Sequence, residues 1–390
     1  MSQQLIDHSP DLKRLRDEGF NIEVKEGFLL VYEVPYVNAS SQIAFGILVS
    51  DLDLQSPDQT SKPKSHVIFF SGEFPCNKDG SPIKQIVHES NHKSLANDIE
   101  IDHSFSNKPR AEGYTDYYEK VQNYVNIISA PAKSLDSKVT ANTFRVIKSD
   151  VEESPFNYYD TNSSRGQILS ITGKLSGQKV GIIGLGGTGS YVLDFIAKTS
   201  VKEIHLYDGD LFLQHNAFRS PGAPSAEKLS ERQYKVHYFD GIYSQMKKNI
   251  IAHPENLNTG NISELSEMDF VFICIDTCPI KKSILSLLID QGIAFVDVGM
   301  GIHAVEDSLI GIIRTTASTK DARDHITGRI SFVDDTQDEY STNIQIAELN
   351  ALNASLAVIS WKKLYGYYQD LTHSFTSIYT INTGEINNED

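Results

Sequence analysis

The stretch from Lys179 to Arg219, KVGIIGLGGTGSYVLDFIAKTSVKEIHLYDGDLFLQHNAFR, limits what this chain can fold into more than any other. An apolar run (Val180, Ile182, Ile183) leads into Gly184-Leu185-Gly186-Gly187-Thr188-Gly189, and Tyr191, Val192, Phe195 and Ile196 follow at helical spacing. A second apolar run, Ile204 to Tyr207, ends in Asp208-Gly209-Asp210. Strand, glycine turn, helix and second parallel strand make a βαβ unit suited to a nucleotide. The glycines let backbone N–H groups approach phosphate, and the helix N-terminus adds a partial positive charge there. The expected fold class is α/β, a Rossmann-like and mostly parallel sheet.

Two nucleotide chemistries share this unit. Gly-x-Gly-x-x-Gly with an acidic residue ending the second strand also describes a dehydrogenase, with Asp208 on the ribose hydroxyls. The residues that follow favour adenylation. Asp210, Asn216 and Arg219 come within the next eleven positions, then Lys235, and a later strand ends at Asp276. Attack on the α-phosphate of ATP calls for cations where charge develops and a carboxylate for Mg²⁺. Hydride transfer has no need of them.

A chain of 390 residues has room for two domains, expected at 1–155 and 156–390. The net charge of −16 gives nucleic-acid binding little electrostatic support and suits a basic protein partner better. The polar start lacks the apolar segment of a signal peptide, and the longest apolar runs are strand-length, so no membrane span is expected. Three cysteines, with no C-x-x-C pair, argue against a disulfide framework and a structural zinc site and fit a cytoplasmic protein.

Residues 1 to 155 read as a smaller α+β domain with a mostly antiparallel sheet. A short charged helix follows Ser9-Pro10, and strand patterns lie at 21–24, 28–34, 43–49 and 66–70. Segments 72–80 and 103–109 read as turns. A helix is expected over 114–124, and an apolar run at 125–128 stops before Pro131. The acidic stretch 150–164 reads as the connection, and Arg165 opens a helix expected to reach Leu175.

Beyond the βαβ unit, the pattern predicts a helix near 228–234, a strand at 270–275, a helix at 279–291, a strand at 294–298 and a strand pair within 307–316. The charged segment 319–339 reads as a mobile crossing loop. A long helix over 343–365 carries small and apolar residues (Ala347, Ala351, Leu352, Ala354, Leu356, Ala357) suited to a core or a dimer. The tail HSFTSIYTI is expected as an edge strand.

Taken together, Gly184–Gly189, Asp208-x-Asp210, Asn216-x-x-Arg219, Lys235 and Asp276 resemble the nucleotide site of the ubiquitin-activating-type (ThiF/MoeB-like) adenylyltransferases. That superfamily includes the thiamine- and molybdopterin-biosynthesis activators, and the resemblance spans roughly residues 160–370. The N-terminal region is similar to a domain of unknown function found ahead of such domains in bacterial proteins. Some of these proteins sit in ubiquitin-like conjugation systems used in phage defence. The resemblance implies that Gly184, Gly186, Gly187 and Gly189 cradle ATP, with Asp210 beside them. Asp208 would hold the ribose hydroxyls, Asn216 and Arg219 the triphosphate. Lys235 would cover the α-phosphate, with Lys228 as the rival lysine, and Asp276 would bind Mg²⁺. Arg165 would reach the phosphates of a partner subunit in a homodimer. The implied reaction joins AMP to the C-terminal carboxylate of a ubiquitin-like or other small protein.

Conjugating members add a thioester on a cysteine in or near the crossing region, but residues 279–390 contain none. Cys274 lies inside an apolar strand and reads as a buried thiol. Cys278 sits two residues past Asp276. Cys76, in the polar loop 74–80, reads as the more exposed thiol and as a catalytic candidate, provided its pKa is lowered. His66, His88, His92 and His103 match no standard ligand spacing and read as surface or packing residues. Other readings stay open: adenylation of a small-molecule or RNA-linked carboxylate, a non-catalytic nucleotide-binding scaffold, and, least favoured, a dinucleotide oxidoreductase.

Overall fold

The computed structural model describes residues 2–149, 154–276, 279–330 and 344–389. The chain divides into two compact units, Met1–Ile147 and Lys148–Asp390. The first begins with helices α1 (Ser2–His8) and α2 (Pro10–Asp17) and strands β1 (Ile22–Lys25), β2 (Phe28–Val37) and β3 (Ile43–Asp51). A small hairpin of β4 (Leu54–Ser56) and β5 (Gln59–Thr60) precedes β6 (Val67–Ser71), β7 (Val87–Ala96), β8 (Ile99–Ser106) and helix α3 (Tyr117–Leu135). The larger sheet runs β1-β2-β3-β6-β8-β7, antiparallel at every pairing. Alternation along β2 sorts its side chains onto two faces. Leu29 and Val31 join α2 and α3 in the main core, whereas Leu30 packs with Val49, Ile99 and Ile101 on the other face.

Two expectations for this unit need correction. The β7–β8 hairpin occupies a region read in part as turns, because its exposed, polar β7 lacks the alternation that marks a half-buried strand. The helix read as ending near Tyr124 continues through Pro131 to Leu135. A proline inside a helix removes one hydrogen bond and crowds the preceding turn. The residues around it explain why the helix goes on. Tyr124, Val125, Ile128 and Ala132 recur at helical spacing and are all buried.

The second unit opens with the short helices α4 (Thr161–Arg165) and α5 (Leu169–Thr172). It continues through β9 (Lys179–Ile183), α6 (Gly187–Ile196), β10 (Glu203–Tyr207), α7 (Gln214–Ala217), α8 (Ala226–Ser230), α9 (Lys235–Tyr243) and β11 (Ile250–His253). Next come β12 (Phe270–Ile273), α10 (Pro279–Asp290), β13 (Ala294–Val305), β14 (Ser308–Ser318), α11 (Ile326–Arg329), α12 (Ala347–Leu364), β15 (Thr376–Thr380) and β16 (Glu385–Glu389). One sheet holds all eight strands in the order β11-β10-β9-β12-β13-β14-β15-β16. Pairings from β11 to β13 are parallel and those from β13 to β16 antiparallel. The expected Rossmann-like fold class is thus met. Two cores cover the parallel part, one with α6, α9 and α12 and one with α10.

Several boundaries differ. Arg165 closes α4 instead of opening a helix, and Lys235 starts α9 where a helix was expected to have just ended. β13 runs on past Val298 through Gly299 and Gly301, because β14 pairs with it along its whole length from Phe295 to Val305. β14 is therefore one long strand, joined to β13 by a tight turn at Glu306 (φ 51°). β15 lies inside the sheet, since the acidic tail forms the edge strand β16. On α12 the buried face is Asn350, Asn353, Ala354, Ala357, Val358 and Trp361, so Ala347, Ala351, Leu352 and Leu356 sit at its margins. Much of the expected crossing loop, residues 331–339, lies outside the described residues, as does Cys278.

Candidate functional site

Parallel strands deliver their C-terminal ends to one edge of a sheet, and ligands of open α/β folds sit there, where the strand order reverses. Here β9 carries the reversal, with β10 on one side and β12 on the other. The glycine turn leaves β9 at this edge, and each glycine meets a different demand. Gly184 has φ +84°, and a Cβ there would stand 2.7 Å from the Cys274 carbonyl oxygen. A Cβ on Gly189 would strike the Gly184 carbonyl, and one on Gly187 would land on the Asn350 amide. A Cβ on Gly186 would meet nothing within 4 Å, so this residue borders open space at the start of α6.

The carboxylate that ends β10 is turned onto this loop. Asp208, buried, accepts the Leu185 N–H at 2.7 Å and the Asp210 N–H at 2.9 Å. Lys235, at the first turn of α9 and also buried, places Nζ 2.7 Å from Asp210 and 3.3 Å from Asp208. The rival Lys228 forms a surface pair with Glu231 at 2.8 Å. Asn216 is buried, and its side-chain oxygen accepts the Leu213 N–H at 2.9 Å. Its carbonyl accepts the Arg219 N–H at 3.1 Å, so Asn216 shapes the turn from which Arg219 projects. Arg219 Nε is buried without a hydrogen-bond partner among the described residues. An orphaned cationic donor in this place is costly unless a ligand atom meets it. It fits a phosphate oxygen.

Asp276 is exposed on the segment after β12, whose Ile273 pairs with Ile183 just ahead of the glycine turn. Mg²⁺ bound with a nucleotide usually takes one or two protein carboxylates and completes its shell with phosphates and water. Asp276 satisfies that minimal requirement. No cluster of three or more His, Cys, Asp or Glu able to hold a metal occurs among the described residues. Arg165 is exposed at the end of α4.

Cys76 departs from its expected state. Its side chain is buried, its Sγ donates to the Phe74 carbonyl at 3.3 Å, and its backbone bridges to Val37 and Pro82. Burial pushes the thiol up, and the Asp79 and Glu73 carboxylates push the same way. An exposed, low-pKa nucleophile is therefore not found at Cys76. Burial likewise raises the Cys274 thiol. Among the N-terminal histidines, His66, His88 and His103 bond to Ser106, Ser104 and Ser90, and His92 bonds to Asp102.

Sequence reading missed two groups. Asn350 on α12 accepts from Thr188 Oγ1 at 2.9 Å and reaches the Arg219 carbonyl at 3.5 Å, tying the start of α6 to the Arg219 turn. The second group is an ion triad beside Asp276. Asp297 on β13, fully buried, meets Lys281 Nζ of α10 at 2.6 Å and Arg314 Nη2 of β14 at 2.7 Å. Burial pushes the Asp297 carboxyl up, and the two cations oppose that shift. Its sequence signal was a lone charge inside each of two apolar strands, AFVDV and LIGIIRTT.

A glycine turn at the switch point of a doubly wound sheet, with Asp208 and Lys235 beside it and an Arg219 Nε that has no hydrogen-bond partner among the described residues, defines a nucleotide-binding α/β protein. The family follows from the sequence itself. Residues 165–352 match the model of the ThiF family, and residues 10–161 match a domain of unknown function, DUF6791. The chain carries a ThiF-family domain behind a DUF6791 domain, and by that family it is an ATP-dependent adenylyltransferase. Among solved structures it is similar to selenomethionine PaaA (16% identical, TM-score 0.48, covering 77% of this chain and 98% of that one). It is also similar to E. coli MccB with MccA-N7isoASN (18% identical, TM-score 0.46, covering 60% and 72%). E. coli MccB with ATP is a third (16% identical, TM-score 0.41, covering 60% and 72%). Likenesses this distant assign no substrate. No curated protein sequence matches the chain.

Proposed function

We propose that this protein uses ATP and Mg²⁺ to adenylate the C-terminal carboxylate of a ubiquitin-like or sulfur-carrier protein. The buried Nε of Arg219 beside the glycine turn, without a hydrogen-bond partner among the described residues, is the observation that carries the reading. In this proposal the adenylation domain is residues 156–390, preceded by an N-terminal domain, residues 1–155, of unknown role. Gly184, Gly186, Gly187 and Gly189 let backbone N–H groups surround the phosphates, and Asp208 turns from Leu185 to the ribose hydroxyls. Asn216 holds Arg219 toward the triphosphate. Lys235, released from Asp210, covers the α-phosphate. Asp276 would hold Mg²⁺, which supplies neutralising charge to the phosphates when bound. Arg165 would be lent to a partner subunit's nucleotide in a cytoplasmic homodimer.

The substrate carboxylate oxygen attacks the α-phosphorus, the bond from that phosphorus to the bridging oxygen breaks, and pyrophosphate leaves with the electron pair. An acyl-adenylate results. Positioning of the two reactants and fixed positive charge supply the rate, and no side-chain nucleophile is needed. Membership of a phage-defence conjugation system rests on the family resemblance alone. ATP–pyrophosphate exchange that depends on an added small protein with a free C-terminus tests the reading. Exchange that ignores that protein, or that is unchanged by Asp276→Ala, would sink it.

A further inference from the structure

At the strand ends opposite the glycine turn, a cavity of about 420 Å³ is lined among others by Phe156, Ile168, Leu175, Met246 and Tyr367, all in the second unit. Leu175 leads into β9 and Met246 into β11. At about 3.3 Å per residue, the five residues of β9 hold the cavity roughly 17 Å from that turn. Two local devices build it. Asn157 straps the segment ahead of α4 across the strand starts: its N–H donates to the Met246 carbonyl at 2.9 Å and its amide to the Ser244 carbonyl at 2.7 Å. At the other wall α12 ends in a left-handed Gly366 (φ +65°), and the Gly366 and Tyr367 N–H groups donate to the Lys363 and Lys362 carbonyls, both at 2.9 Å. This glycine-closed turn folds Tyr367 back on the last helical turn. Lys362 Nζ therefore stands 4.3 Å from the centroid of the Tyr367 ring.

Asp160, Lys198 and Lys362 are the charged residues of the lining. Lys198 is neutralised by Asp194 at 2.7 Å. Asp160 accepts the Ser163 N–H at 2.9 Å on one oxygen and the Ser163 hydroxyl on the other. Lys247, behind Phe156, is spent on the Thr199 and Val201 carbonyls. Lys362 differs. Half-buried, it touches the rings of Tyr367 and Tyr368 and has neither a hydrogen bond nor an ion pair among the described residues. Burial lowers its pKa, and no neighbouring charge opposes that shift. A desolvated ammonium without a counterion favours the arrival of an anion.

We propose that this cavity is a second ligand site, separate from the nucleotide edge, that takes a small aromatic carboxylate. The ring lies among Phe156, Met246 and Tyr367, and the carboxylate meets the Lys362 ammonium. The volume is that of a small-molecule pocket, mostly apolar with a few polar groups to fix orientation. Aromatic rings and a thioether suit a flat apolar body. One uncommitted cation suits one negative charge, whereas a phosphate ester would need further donors that Lys198 and Asp160 do not supply. Aromatic walls also suit a cationic ligand, but Lys362 already occupies the Tyr367 face and repels one.

The test is calorimetric titration of the full chain with naphthylacetate, the uncharged naphthylacetamide and the cationic naphthylethylamine, each with and without a saturating non-hydrolysable ATP analogue. Naphthylacetate should bind with a Kd below about 1 mM, the scale for a ligand of this size in a built pocket. It should bind at least about tenfold more tightly than the amide, the scale of one charge-assisted contact. The ATP analogue should leave that affinity unchanged. Lys362→Met keeps an apolar stem over Tyr367 and should bring the acid down to the affinity of the amide. Asn162→Trp, at an exposed position of the lining, should weaken acid and amide alike by about tenfold or more, with melting temperature and ATP affinity at wild-type values. Acid binding weaker than about 1 mM, or amide or amine binding as tight as the acid, would overturn the site. So would a preference for the acid that survives Lys362→Met, unchanged binding by Asn162→Trp, or displacement of the acid by the ATP analogue. None of these results bears on the adenylation reading, which pyrophosphate exchange tests.

Discussion

Alanine at Gly186 and alanine at Gly187 should fail in different ways, although the two residues are adjacent. A Cβ on Gly187 falls on Asn350, which also holds Thr188 Oγ1 at 2.9 Å. Either α12 shifts or the Asn350 amide turns away. Overpacking of that kind costs about 1–3 kcal/mol. Losing the buried Thr188–Asn350 hydrogen bond adds about 1 kcal/mol. A total near 3 kcal/mol, in a unit of this size, lowers the melting temperature by about 6–12 °C. At Gly186 the backbone has an ordinary φ of −71°, and the new methyl meets no protein atom. Its melting temperature should stay within about 2 °C of wild type, since no packing changes. The methyl instead stands where a phosphate must approach the loop, and ATP affinity should drop by about tenfold or more, at least 1.4 kcal/mol. Calorimetric melting and titration with a fluorescent ATP analogue separate the two outcomes. Gly186→Ala binding ATP within twofold of wild type, or melting as low as Gly187→Ala, would refute the placement of phosphate at this turn.

Removing the Lys235 ammonium should slow pyrophosphate exchange about 10²–10³-fold at saturating ATP, the usual effect of losing one donor to developing charge. Its stability cost should be smaller, about 1–2 kcal/mol, because Asp208 keeps the Leu185 and Asp210 N–H groups and Asp210 is exposed. A Lys235→Ala protein with wild-type exchange would contradict the assignment. In peptide mapping after treatment with a thiol reagent, Cys76 should stay unmodified in the folded protein and react once urea unfolds it. Rapid labelling of the native chain would contradict its burial. Burial lowers the Lys247 ammonium to about 7, where it donates to the Thr199 carbonyl at 2.9 Å and to the Val201 carbonyl. Between that value and the ordinary lysine pKa the unfolded chain binds a proton that the folded one does not, so stability rises with pH. Urea midpoints at pH 7 and pH 9 should show a gain of roughly 2 kcal/mol that Lys247→Met removes. A flat wild-type profile would show the ammonium charged throughout.

Much of the fold could be read along the chain, and the exceptions share a cause. β2, β3, β9, β10 and α6 announce themselves because each carries a buried apolar run or stripe that can be read from neighbours along the chain. The β7 strand is exposed, so its sequence carries no such period. Pro131 misleads in the opposite direction, since a buried helix face outweighs one missing hydrogen bond. Lys235 and Asp208 stood out as charges at strand and helix ends. Asn350 and the Asp297–Lys281–Arg314 triad did not, because their partners lie far apart in sequence, up to 162 residues for Thr188 and Asn350.

By itself, then, the sequence determined a βαβ unit, its glycine turn and the charges strung after it, since each is set by neighbours within one turn or strand. Only the tertiary structure decided which of those charges face one another. It alone buried Cys76, left Arg219 Nε without a partner among the described residues, and gathered three ionic side chains from α10, β13 and β14. Burial and pairing are properties of elements brought together across the sheet, and no local pattern encodes them.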